Sequence, residues 1–183
     1  MNKPTLIIVC GRPGSGKSTL ARKLSGIVRC PLISRDELKE GYVNAAGKRH
    51  SAISGEENKS IKECYFGIIN MLLDNKITCI AESAFQEGVW LPEYQKIRDN
   101  AIVKMVVCTT DRVTANRRFL ERKRDDPLRE YFHGDSVISG ENDEYEYNPP
   151  GLPVPVLAAD TTNGYKPGLE EIAVFAGGNI NEL

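Results

Sequence analysis

A parallel α/β fold is what this sequence predicts, and three observations predict it. Five short apolar runs of strand length recur along the 183 residues. Segments with helical spacing separate them. The length gives one domain with a real core and is short for two. Strands alternating with helices that cover both sheet faces are the pattern of a parallel sheet.

The first run, residues 5–10, is "TLIIVC". After the glycine-rich stretch that follows it, Leu20, Ala21, Leu24, Ile27 and Val28 fall on one helical face, with Arg22 and Lys23 pointing elsewhere. The second run covers 30–34. Ile61, Cys64, Tyr65, Ile68 and Leu72 then repeat the helical spacing over three turns. Runs at 77–82, 102–108 and 153–159 complete the five, and a turn and a closing helix follow, with Pro167 suited to a first helical turn. Two stretches fit no element: 41–55, "GYVNAAGKRHSAISG", and 133–151, "HGDSVISGENDEYEYNPPG". Loops of that length in a small domain are lids, binding loops or unstructured segments.

Composition narrows the partners. With 24 basic and 25 acidic residues the net charge is -1, so no bulk field announces a nucleic-acid or membrane surface. Five cysteines, widely spaced and without a CxxC pair, exclude a disulfide framework and point to a reducing interior. No leader or membrane-length apolar window is read, so the expectation is a soluble cytoplasmic chain with no membrane partner. His50 and His133 are too isolated for a metal cluster, and the single Trp90 reads as packing.

The glycine-rich stretch carries the first chemistry. "GRPGSGKS" fits GxxxxGK[ST] from Gly11 to Ser18, with a strand before it and a helix after it. Small residues let successive main-chain amides turn inward, and the helix start adds its positive end, so phosphate oxygens meet oriented dipoles. The expected nucleotide-binding set is Gly11, Pro13, Gly14, Ser15, Gly16, Lys17, Ser18 and Thr19. Side chains at Gly14 or Gly16 would block the approach. Lys17 is placed to bridge the β- and γ-phosphates, the Ser18 hydroxyl to join the shell of Mg²⁺, and Thr19 to support the α-phosphate. The plain alternative is a glycine turn that holds nothing. The expected ligands are ATP and Mg²⁺.

"ISRDELKEG" follows the second run and puts Asp36 nineteen residues beyond Lys17, on the carboxyl edge of the sheet. There it can take a proton from an attacking hydroxyl. Ser34 and Glu37 form an S-x-x-E capping box, and an acid in a first turn is also stabilised by the helix dipole, by roughly 0.3–1 kcal/mol, without any catalytic part. Spacing alone leaves both readings of Asp36 open.

Together "GRPGSGKST" and "ISRDELKEG" resemble the P-loop kinases that include polynucleotide 5′-hydroxyl kinases, zeta toxins, chloramphenicol phosphotransferase and gluconate kinase. The resemblance implies five parallel strands in the order 2-3-1-4-5, transfer of a phosphoryl group to a hydroxyl, and Asp36 as base. On the acceptor side it implies Arg35 and Lys39, the latter a lysine where an arginine would give a forked contact. It puts Glu82, at the end of "CIAES", on a Mg²⁺-bound water or on the acceptor, although a strand end also carries an acid simply by leaving the core.

"DRVTANRRFLERKRDDPLR" is dense in guanidinium groups. A helix places Arg118 and Arg122 on one side, with Phe119 and Leu120 able to face inward. The resemblance implies a lid over about 112–151, Arg118 against adenine and Arg122 on the transferring group. A solvated basic face balanced by Glu121, Asp125 and Asp126 is the plain reading, and Arg112, Lys123 and Arg129 read as surface. By the same resemblance Asp160, Thr161 and Thr162 are base contacts, where a turn or cap serves as well. The 41–55 segment, with Lys48, Arg49 and His50, takes the acceptor's place and favours an anionic or nucleotide-like one. Five acids and no Lys or Arg between Asp135 and Glu146 oppose a polyanion over that stretch. The expected partner is a small-molecule or nucleotide-like acceptor. A polynucleotide 5′-hydroxyl kinase, or a nucleotide-binding switch with Gln86 positioning water, is the alternative.

Overall fold

Along the first strand, β1 (Thr5–Gly11), the two-residue period sends Leu6, Ile8 and Cys10 to one face and Ile7 and Val9 to the other, all fully buried. Both faces must therefore be covered. The computed structural model describes residues 3–133 and 147–178, and it covers them with α1 (Lys17–Val28) and α7 (Leu169–Ala176) on one side and α3 (Gly55–Asp74) and α4 (Glu87–Ile97) on the other. The remaining elements are β2 (Leu32–Ser34), α2 (Arg35–Ala46), a 3₁₀ turn (His50–Ala52), β3 (Cys79–Glu82), β4 (Ile102–Thr109), α5 (Arg112–Asp125), α6 (Arg129–His133) and β5 (Val156–Asp160).

All pairings are parallel and the order is β2-β3-β1-β4-β5, as expected. β1 is central, so its carboxyl end, and the loop leaving it, sits at the middle of the sheet edge. Ser34 pairs in register with Glu82, which brings the end of β2 beside the end of β3. The site is built at that edge.

Local chemistry sets the boundaries. α1 stops where Arg29 turns left-handed (φ 55), the N–H of Cys30 bonds the Ser25 carbonyl at 3.2 Å, and the Ser25 hydroxyl donates to the Cys30 carbonyl at 2.7 Å. Cys30 is thus spent on the cap, and β2 begins at Leu32, not at 30. Likewise Pro153 and Pro155 have no N–H for a ladder, so β5 starts at Val156. In α3 the buried residues are Ile61, Tyr65, Phe66, Ile69 and Leu73, one step round from the expected face, and Cys64 is exposed. Tyr65, Phe66, Phe85 and Trp90 pack edge to face and stacked beneath the loop after β3, with centroids 5.1–6.3 Å apart. Trp90 is a core residue, as read.

The 41–55 segment is the main difference. Its first six residues continue α2 to Ala46, Gly47 ends the helix with φ 62, and only a short link with the 3₁₀ turn precedes the Ser54 capping box of α3. Gly41 inside the helix and a face with few apolar residues hid it. Pro167 lies one residue before the Gly168 cap of α7, outside the helix. Among the described residues no helix is long and apolar enough to cross a membrane.

Candidate active site

The loop from β1 to α1 holds its shape by packing against distant elements. Gly14 (φ +81) and Gly16 (φ +76) occupy the left-handed region that favours glycine. A Cβ on Gly14 would stand 2.4 Å from the Ala115 carbonyl oxygen of α5, and one on Gly16 3.3 Å from the Thr161 hydroxyl. Gly14 is thus demanded by the protein's own packing as well as by its backbone conformation, and Gly16 mainly by its left-handed backbone. Thr161 fastens the same loop. Its hydroxyl donates to the Ser15 carbonyl at 2.6 Å while its amide donates to the Thr109 carbonyl at 2.9 Å.

At the helix start, Gly16 is the cap and Leu20 N–H makes the first bond back to it at 3.0 Å, so the amides of Lys17, Ser18 and Thr19 have no partner within the helix. Lys17 is 8% exposed and its Nζ lies 3.7 Å from Glu82 Oε1. The Ser18 hydroxyl donates to the same oxygen at 3.2 Å, and the Ser34 hydroxyl donates to Glu82 Oε2 at 2.8 Å. Glu82, 1% exposed at the end of β3, is thereby fixed under the loop by the first residues of α1 and the end of β2. Ser34 also caps α2, accepting from Glu37 N–H at 3.5 Å. The capping box is only half made, because the Glu37 carboxylate turns to Arg22 at 2.6 Å.

Two cavities meet at this point. The larger, about 480 Å³, lies over the α1 start and is bounded by Thr19, Lys23, Arg118, Thr161, Gly164 and Tyr165. Arg118 is braced there: its guanidinium donates to the Thr161 carbonyl at 2.7 Å, the Thr162 carbonyl at 3.1 Å and the Thr161 hydroxyl at 3.3 Å. Lys23 sits 5.1 Å over the Tyr165 ring. The smaller cavity, about 210 Å³, is walled by Arg35, Asp36 and Lys39 of α2, by His50, and by Arg129 and His133 of α6. Lys17, Ser18 and Arg122 border both.

α6 closes the smaller cavity. His133 Nε2 meets Glu40 Oε1 of α2 at 2.6 Å, and the Arg49 guanidinium lies 5.9 Å over the Tyr131 ring. Arg35 is seated 5.8 Å over Phe85, and one of its nitrogens is 3.4 Å from Asp36 Oδ1. Lys39 is 6% exposed, and the pKa of its ammonium is pushed down to about 8, by burial first and then by Arg35, with Asp36 acting against them.

Of the expected nucleotide-binding residues, Gly14, Gly16, Lys17, Ser18, Thr19 and Arg118 line the larger cavity, while Pro13 lines the smaller. Gly11 and Ser15 line neither. Gly11 is packed against Cys108, and the Ser15 side chain is wholly buried beside it. Glu82 touches Lys17 and Ser18, not the acceptor-side cavity. Arg129, read as surface, lines that cavity, and Leu120, read as inward, is 61% exposed. Asp160 accepts from Thr162 N–H at 2.8 Å, the turn reading, whereas Thr161 lines the larger cavity. Lys23 and Tyr165 also line the larger cavity, and no local sequence pattern marks them for it. Gln86 is exposed and borders neither cavity. The acidic stretch between Asp135 and Glu146 lies outside the described residues.

Among the described residues no group of three His, Cys, Asp or Glu could hold a metal ion. The Ser18–Glu82 pair does fit Mg²⁺, which is bound through few protein oxygens together with phosphates and waters.

Comparison with known proteins matches residues 6–136 to the AAA domain family. Over 90 residues the chain is 36% identical to a shikimate kinase of Clostridium botulinum (strain Loch Maree / Type A3); the match covers 49% of each, so the chain spans about half the length of the curated relatives it matches. A candidate kinase from Chloroflexus aurantiacus J-10-fl superimposes with TM-score 0.81 at 22% identity, over 96% of this chain and 98% of that one. The APS kinase of Mycobacterium tuberculosis, solved with AMPPNP and APS, superimposes with TM-score 0.56 at 19% identity over 93% of each. The two structural likenesses are likenesses of fold, that of P-loop kinases.

Proposed function

The chain belongs to the AAA domain family, and on that premise we propose that it is a kinase, transferring the γ-phosphoryl group of Mg·ATP to a hydroxyl of a small acceptor. The observation that carries this reading is the meeting of two cavities at Lys17, Ser18 and Arg122, with Asp36 in the smaller. In-line transfer requires donor and acceptor on opposite sides of the reacting phosphorus, and two joined rooms supply that arrangement.

The larger room takes the nucleotide. The first amides of α1 and Lys17 face its phosphates, and Arg118, held flat by the carbonyls of Thr161 and Thr162, offers a guanidinium face to the base. Ser18 would be the protein ligand of a bound Mg²⁺, which would neutralise phosphate charge, and Glu82 accepts from the Ser18 hydroxyl and so orients it. In the smaller room Asp36 accepts the proton as the acceptor oxygen bonds to phosphorus and the bond to the β-phosphate oxygen breaks, releasing ADP. Lys17 and Arg122 face the charge that builds on the transferred group, and Arg35 and Lys39 hold the acceptor. The free, buried thiols of Cys10, Cys79 and Cys108 suit the reducing cytoplasm.

ADP release measured with pooled sugars, hydroxy acids, nucleosides and 5′-hydroxyl oligonucleotides tests the reading. Asp36→Asn is expected to lower acceptor-dependent turnover about a hundredfold or more with ATP affinity unchanged. If no hydroxyl compound raises ADP release and Asp36→Asn changes nothing, the chain is a bare nucleotide hydrolase or switch.

A further inference from the structure

We infer that the acceptor is a compact anionic alcohol, carrying a carboxylate or phosphate-like group that Lys39 grips with Arg35 beside it; this rests on the kinase reading and names its substrate class.

Lys39 is the leading observation. It is 6% exposed, borders the smaller cavity, and among the described residues makes no hydrogen bond or ion pair. A buried ammonium without a partner is costly, and its position at a cavity wall assigns the missing counter-charge to a ligand. Its surroundings agree. Among the described residues, five Lys and Arg side chains (Lys17, Arg35, Lys39, Arg122, Arg129) line the cavity against one carboxylate, Asp36. Lys17 and Arg122 also border the nucleotide cavity and are taken up by its phosphates, so the acceptor's charge falls to Lys39 with Arg35 on the same helix. Arg35 is already seated on Phe85 and needs no reorganisation to serve.

Size sets the other limit. At about 210 Å³ the cavity is less than half the 480 Å³ of its neighbour and lies below the roughly 300–1,000 Å³ of ordinary ligand pockets. Its roof, α6, is tied to its floor by His133 and Glu40. A hydroxy acid or a small phosphorylated alcohol fits, and a polynucleotide end with its flanking residues does not. A neutral alcohol would leave Lys39 uncompensated and be rejected on that ground.

Charge makes the grip pH-dependent. Lys39 is faced by Arg35 and Asp36 from its own helix, Lys17 from the start of α1, His50 from the 3₁₀ turn, Arg122 from α5, and Arg129 and His133 from α6, the last paired with Glu40 of α2. The ammonium, lowered to about 8, is charged at pH 7 and mostly neutral at pH 9, so anions bind less tightly as pH rises.

The test is calorimetric titration of the full chain saturated with Mg·AMPPNP, which fills the phosphate loop. Sulfate and glycolate are the probes, since neither titrates between pH 7 and 9, and ethylene glycol is the neutral control. At pH 7 one site is expected for sulfate, glycolate or both, the better probe telling phosphate-like from carboxylate acceptors. Lys39→Met and, independently, Arg35→Gln should weaken it at least tenfold, while Lys59→Met on the exposed face of α3 should not. From pH 7 to 9 the wild type should lose about tenfold, as the protonated fraction of a group near 8 falls from about nine-tenths to one-tenth. Lys39→Arg should lose little. Failure of both anions to bind, equal binding to the variants, or equal binding of ethylene glycol overturns the inference. If neutral alcohols or oligonucleotides are phosphorylated while the anion arms fail, the substrate class falls and the kinase stands. If anions bind through Lys39 but no alcohol is ever phosphorylated, the kinase reading falls and takes the substrate claim with it.

Discussion

A lysine kept charged under cover weakens the fold that holds it, and Lys39 allows that cost to be measured. Its ammonium titrates near 8 in the folded chain against an ordinary 10.5, so between those values the unfolded chain binds more protons and stability rises with pH. Buried thiols act in the opposite sense. Burial holds Cys10 up to about 11 and Cys79 and Cys108 up to about 12, from 9, so the unfolded chain sheds those protons first and stability falls as pH climbs above about 9. The lysine's contribution therefore shows between pH 8 and 9. Lys39→Met keeps the apolar stem and removes the charge, and should stabilise the empty protein at pH 7 by about 1–3 kcal/mol in urea unfolding. A variant less stable than wild type would show that the ammonium is not paying a burial cost. Nothing in the sequence marks Lys39 as buried, because the wall it faces is a polar cavity and leaves no apolar periodicity in α2.

At the scale of elements, the phosphate loop and α5 behave as one packed body. Gly14→Ala would drive a methyl group to 2.4 Å from the Ala115 carbonyl, a backbone atom that can yield only if α5 moves, and Arg118 and Arg122 would move with it. The expected result is a loss of about 2–4 kcal/mol in stability with ATP affinity down more than tenfold. Gly67→Ala, mid-helix in α3 with nothing within 4 Å, should instead gain about 0.5–1 kcal/mol, which separates the clash from the residue change itself. How far elements can be read from sequence differs for physical reasons. β1 and β4 are central and buried on both faces, so their apolar runs are continuous and their ends fall within a residue or so of the expected ones. α2 buries only Lys39 and Val43 and carries Gly41, so half of it read as loop. α6 is five residues long and gains its place from His133 on Glu40, a contact that no local pattern foretells. The same holds for Thr161, whose grip on Ser15 spans 146 residues.

For the molecule as a whole, the sheet order places the two rooms on a single edge but draws their walls from opposite halves of the chain. α2 and the 3₁₀ turn come before α3, whereas α5 and α6 come after β4. Filling either room therefore ties early and late segments together, and a ligand at a hundred times its Kd should stabilise the chain by about 2.7 kcal/mol. Arg122, which borders both rooms, makes the two occupancies answerable to each other. Thermodynamic reciprocity then demands that nucleotide change acceptor affinity by the same factor by which acceptor changes nucleotide affinity. Two anions that share a guanidinium are shielded from their mutual repulsion, so Arg122→Met should make each a worse neighbour to the other, with both factors shifting in step. Titrations run in both orders would show it, and a shared factor that is the same in Arg122→Met as in the wild type would mean that one cation does not serve as the hinge of a two-way conversation.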